Sequence, residues 1–152
     1  MHIATYLGLV HKGEQHLAAA LTSVAEKHRD EPDIPVTCAI LAAWSREHAQ
    51  KLQPILDRYG EQPVVAPLIL HTVLFKGPRK GTLGLLRDLQ DLLLLASDVH
   101  GNWTVLSLAA KAIRDVELQT ASKELSGQTL RQLHWLKERI ADAAPQALIA
   151  ED

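Results

Sequence analysis

Three ionisable side chains stand where a helical core would place apolar ones: His11, Glu14 and His48. His11 and Glu14 lie three residues apart, so on a helix they share one face and can hold one ion together. Both interrupt a stripe at three–four spacing made of Leu7, Val10, Leu17, Leu21 and Val24. His48 interrupts a second such stripe, formed by Ile34, Cys38, Leu41, Ser45, Leu52 and Ile55. A buried polar group without a partner is costly, so these side chains must be satisfied within the core or put to use there. Imidazole with carboxylate is a transition-metal ligand set, and bundle interiors are where helical folds build such sites.

The elements that would position them are helices. The spacing predicts a first helix over 3–29, stopped by Pro32, and a second over 34–59 with Asp33 as N-cap and Gly60 as C-cap. Pro54 should loosen the last turn of the second helix. The link between the two helices is short, so they must lie antiparallel. At ~1.5 Å rise per residue, His11 sits about 30 Å from Pro32 and His48 about 24 Å from it. The mismatch of about 6 Å is roughly one helical turn, within reach of long side chains. Asp88 or Asp91 on a third helix and Asp115 or Glu117 on a fourth would complete such a layer. The fullest metal set is therefore His11, Glu14, His48, Asp91 and Glu117. The competing expectation is that the same groups form buried hydrogen bonds and ion pairs, with Arg87 or Arg114, that hold the helices in register.

Residues 61–80 contain Pro63, Pro67 and Pro78 and show no helical period, which predicts an extended crossover whose apolar middle packs along the helices. A third helix is expected over 82–99, with its four consecutive leucines (92–95) making it the most buried. His100-Gly101-Asn102 reads as a tight turn. A final helix begins near Trp103 and continues, kinked or broken near Gly127, to Pro145. One domain over 1–145 and a tail over 146–152 follow.

Composition narrows the function classes. The chain has 152 residues, 47% hydrophobic and 22% charged, a size and balance expected of one soluble globular domain. Aromatic residues make up only 4%, so the core must be rich in Leu and Ala, which suits helix-on-helix packing. A net charge of −2 offers no basic footprint for nucleic acid and no polybasic patch for a membrane surface. The longest apolar run, 64–75, is about 12 residues and falls short of a membrane span. No secretory signal pattern opens the chain, so the expected location is the cytoplasm. Cys38 alone can form neither an internal disulfide nor a cysteine-based zinc site, and its place in the apolar stripe predicts an inert thiol. His28 is expected to act as a favourable charge near a helix C-terminus, and His2, His16, His71 and His100 as solvated side chains.

Two antiparallel helical hairpins joined by a long crossover form the topology of ferritin-like four-helix bundles. The segments YLGLVHKGE (6–14), LLRDLQDL (85–92) and QLHWLK (132–137) resemble an uncharacterised bacterial family with that fold. The resemblance covers nearly the whole chain and implies an all-α, up-down bundle with a long crossover between its second and third helices and an extended or kinked final helix. Di-iron members of the superfamily carry Glu-x-x-His on two helices, and this sequence has none. Ser45 stands three residues before His48, while Leu118 and Thr120 stand three residues after Asp115 and Glu117. The standard di-iron centre is therefore not expected. Two functions follow as expectations: a non-catalytic structural or interaction module, associating as a homodimer, or a degenerate site that binds a transition metal or small ligand, with or without redox activity.

Overall fold

The computed structural model describes residues 2–60, 74–77 and 79–150. Among these, every regular element is helical: α1 (Ile3–Lys27), α2 (Ile34–Tyr59), α3 (Gly81–Ala112) and α4 (Val116–Leu148). The described residues form an all-α four-helix bundle. α1 packs against α2 and α3, and α4 against α3 and α2. Contacts fix the directions. Glu14 meets Trp103 while His28 meets Asp88, so α1 and α3 are antiparallel. Gln132 meets Leu41 while Tyr59 meets Asp115, so α2 and α4 are antiparallel as well. Gly60 consequently leaves the bundle at the end where α3 turns into α4, and Arg79 enters at the opposite end. Most of the expected crossover, 61–73 together with 78, lies outside the described residues.

The first hairpin forms as its residues dictate. α2 begins after Asp33 with Pro35 in its first turn, where a missing N–H costs nothing, and ends at Gly60 with φ at +83°. The Asp33 carboxylate does not cap its own helix. It instead receives Arg139 Nε at 2.7 Å, while Arg139 Nη2 reaches Glu31 at 3.0 Å, which ties α4 to the α1–α2 loop.

The second hairpin differs from expectation. α3 runs unbroken through His100-Gly101-Asn102, because Val99, Trp103, Leu106 and Ala110 continue its core stripe and all are fully buried. That packing outweighs the weak helix propensity of Gly101. The turn falls instead at 113–115. Asp115 N–H bonds Ala110 O at 3.0 Å and Arg114 N–H bonds Lys111 O at 3.2 Å, the two bonds of a Schellman motif. Arg114 takes the left-handed position at φ +56° that glycine usually fills. Asp115 then caps α4, accepting from Leu118 N–H at 3.1 Å. α4 shows no break at Gly127 and carries Pro145 within its last turn, so part of the expected tail is helical.

Two glycines mark opposite demands. At Gly84 an added Cβ would lie 2.4 Å from the Arg79 carbonyl carbon, because the chain entering α3 crosses directly over the helix. At Gly101 an added Cβ would meet nothing. Gly101→Ala should therefore raise stability by about 0.5–1 kcal/mol, and Gly84→Ala should lower it by more than that, both read by urea denaturation. Equal effects at the two positions would contradict this account of how α3 begins.

Candidate functional site

The centre of the bundle holds a polar layer to which all four helices contribute. Glu14 on α1 is fully buried. Its Oε1 accepts from His48 Nδ1 on α2 at 3.0 Å and from Trp103 Nε1 on α3 at 2.9 Å. The Thr129 hydroxyl on α4, which also donates to Leu125 O at 3.0 Å, lies 3.5 Å from the same oxygen. Trp103 can reach because α1 and α3 approach closely at Gly13, where a Cβ would stand 3.0 Å from Val99 Cγ2. Glu14 Oε2 is buried with no partner among the described residues.

His48 is buried completely, and both ring nitrogens face oxygens: Nδ1 the Glu14 carboxylate, Nε2 the Gln128 Oε1 at 2.5 Å. With Gln128 presenting its Oε1, both ring nitrogens face acceptors, an arrangement that the imidazolium satisfies. Burial of the ring opposes that charge. The hydrogen bond and attraction of Glu14, aided by Gln128 and Glu47, outweigh it and hold the His48 pKa above its ordinary value. One turn along the α2–α4 seam, Gln132 Nε2 donates to Leu41 O and Ser45 Oγ, each at 2.9 Å.

A second buried cluster secures the entry to α3. His28 Nε2 and Asp88 Oδ2 are 2.8 Å apart, and Arg79 lies 3.5 Å from the other Asp88 oxygen. Arg79 also pairs with Asp91 at 3.1 Å, and Asp91 accepts from Phe75 N–H at 2.8 Å. At the other end, Asp115 accepts from Tyr59 and from Arg58 at 2.8 Å. Burial raises the Asp115 pKa, but the bonds from Tyr59, Leu118 N–H and Arg58 overcome this and leave it lowered.

The five residues of the sequence-derived metal set divide among three places. Glu14 and His48 come together as expected. His11 is half-buried and lines a surface groove between α1 and α2 with Gln15, Arg46 and Gln53. Asp91 belongs to the Arg79 cluster, and Glu117 is exposed, 3.5 Å from Arg58 at the far end of the bundle. Among the described residues, no three His, Cys, Asp or Glu side chains gather as metal ligands do. The positions offset by three on a helix explain why His11 parts from Glu14: they differ by about 60° in azimuth and one turn in height. Glu14 is the one level with His48.

Trp103, Gln128, Thr129 and Gln132 were not among the sequence-derived candidates. Thr129 and Gln132 interrupt the Leu125–Leu133–Leu136 stripe just as His48 interrupts its own, and that is the signal that marks them. The arginine that pairs with a buried carboxylate is Arg79, while Arg139 pairs with the half-exposed Asp33 and Glu31; Arg87 and Arg114 are exposed. His28 stands at the end of α1 as expected, but it is buried against Asp88, which is itself fully buried. His71 lies outside the described residues. Burial pushes the Cys38 thiol up to about 12, with Asp33 adding to the rise and Arg139 opposing it, so it is a packing residue. No described helix is long and apolar enough to cross a membrane. No protein-family model, curated protein or solved structure matches this chain.

Because the folded pKa of His48 lies above the unfolded value near 6.5, its contribution is complete below that value and is lost as pH rises through the raised one. The stability difference between the native protein and His48→Gln should therefore shrink as pH rises above about 6.5. Urea midpoints taken every half unit of pH test this, and a difference that stays constant or grows would show that the ring is neutral.

Proposed function

We propose that this chain is a cytoplasmic, ferritin-like helical bundle that works as a non-catalytic interaction module and pairs as a homodimer. Its interior carboxylate–imidazole pair holds the helices in register. The observation that carries the reading is the use made of Glu14: donors from α2 and α3 converge on one of its oxygens, and the Thr129 hydroxyl of α4 lies 3.5 Å from it. The layer contains one histidine and one carboxylate, fewer than the three or four protein ligands a zinc site employs. The ferritin-like order is supported by the helix directions, with the first and second hairpins each antiparallel and Gly60 and Arg79 at opposite ends.

The dimer is supported by α3. Leu83, Leu94 and Val105 recur every eleven residues on its outer face, with Leu108 beside them, and all are 44–66% exposed. Two copies of this helix packed antiparallel would set Leu83 against Leu108 on both sides of a twofold axis near Leu94. This is the self-complementary arrangement that a symmetric dimer requires.

Replacing Glu14 alone by Leu leaves His48 and Trp103 without an acceptor and should cost on the order of 3 kcal/mol. Replacing the layer together (Glu14→Leu, His48→Leu, Trp103→Phe, Thr129→Val) should restore most of that stability and keep the association state, measured by urea denaturation and light scattering. Leu94→Glu should give a monomer. Stoichiometric metal in protein prepared without chelator, lost in His48→Ala, would overturn this reading in favour of a metal-binding one.

A further inference from the structure

The polar layer approaches the surface at Gln128. His48 Nε2 points away from Glu14 to Gln128, and Gln128 is only half-buried. Its outer side lines a surface depression of about 630 Å³ along one face of α4, together with Thr120, Lys123, Glu124, Gly127 and Arg131. We propose that this depression is a binding site for a small oxyanion, carrying a carboxylate or phosphate group, which displaces the Gln128 amide and accepts the Nε2–H of His48.

Several independent features support the assignment. The His48 ring is fully buried and oriented by Glu14, so its second N–H is a fixed donor with a fixed direction. A neutral amide oxygen now occupies the acceptor position at 2.5 Å, and an anion there would add ion-pair attraction to the bond that the ring N–H already makes. Lys123 and Arg131 flank the depression, and neither makes an ion pair within the described part of the chain. The acidic group on the rim, Glu124, lies 3.1 Å from Lys51, which it shares with Glu47 at the same distance. Thr120 directs its hydroxyl to Val116 O and does not compete.

Gly127 supplies a separate argument. It sits in the interior of a 33-residue helix, where glycine is less favourable than alanine. A Cβ there would touch nothing, so the packing of the bundle does not account for it. The missing side chain opens the floor of the depression beside Gln128 and lets a ligand approach the helix backbone. This site goes beyond the register-holding role of Glu14 and does not depend on dimerisation.

The test is a titration of uniformly ¹⁵N-labelled protein with inorganic phosphate, and separately with acetate, at constant ionic strength set with chloride, following the His48 ring nitrogens by NMR. Saturable shifts of His48 Nε2 are expected, with affinity weakened roughly tenfold in Lys123→Ala/Arg131→Ala through loss of two charge-assisted contacts. Gln128→Ala removes the internal competitor and should tighten binding. Gln128→Glu carries its own anion to Nε2 and should abolish it. Gly127→Ala should stabilise the fold yet weaken binding. Phosphate alone binding indicates a phosphate ligand, and both probes binding indicates any oxyanion. Absence of saturable shifts overturns the proposal. Shifts that persist unchanged in both Gln128→Glu and the double alanine variant overturn it too, because they mark an adventitious ion only.

Discussion

A carboxylate enclosed at the centre of a helical bundle constrains everything around it. Water is excluded from Glu14, so its Oε1 draws donors from the protein, His48 on α2 and Trp103 on α3, with the Thr129 hydroxyl of α4 3.5 Å away. Sliding α1, α2 or α3 by a turn would remove a donor and leave charge unmatched. Apolar packing alone tolerates such slips far better, since leucines on successive turns are nearly interchangeable. The Glu14 layer thus converts a generic Leu-rich interior into one with a single register. The close approach at Gly13 belongs to the same constraint, because a larger residue would push α3 outward and carry Trp103 away from the carboxylate.

The ends of the bundle repeat this logic with charged pairs. Arg139 joins α4 to the first loop through Asp33 and Glu31, Asp115 joins the second hairpin turn to α2, and Asp88 joins α3 to both His28 and Arg79. All but the Asp88–Arg79 pair link segments far apart in sequence, and each lies where a helix begins or ends. The Asp88 and Arg79 groups are almost wholly enclosed. Such pairs add little net stability over an apolar replacement but penalise misassembly strongly, since a missing partner strands a charge. Polar groups in this molecule therefore specify which arrangement forms, and apolar burial supplies the drive to form it.

Much of this was legible in the residues. The three–four stripes of α1 and α2 placed Glu14 and His48 inside, and Asp33 and Gly60 bounded α2 as read. Other features depend on relations between helices that one strand of sequence does not encode. A stripe shows which face is inward, but not which neighbour that face meets, so His11 was grouped with Glu14 although it turns toward a surface groove. Asp91 and Glu117 were assigned to one layer because each sits on the helix expected to contribute, yet they lie near opposite ends. The turn expected at His100-Gly101-Asn102 rested on local propensity, and the uninterrupted burial of Val99, Trp103 and Leu106 overrode it. Where that turn moved, to Arg114, no glycine announced it.

The partners of Glu14 stand 34, 89 and 115 residues further along the chain. During synthesis from the N-terminus, α1 and α2 are complete long before Trp103 and Thr129 exist. Until those residues are made, Glu14 has at most His48 to draw on and otherwise keeps its water. Closure of the core over Glu14 is accordingly a late event, tied to completion of α4, and a chain truncated within that helix would leave the carboxylate in contact with water.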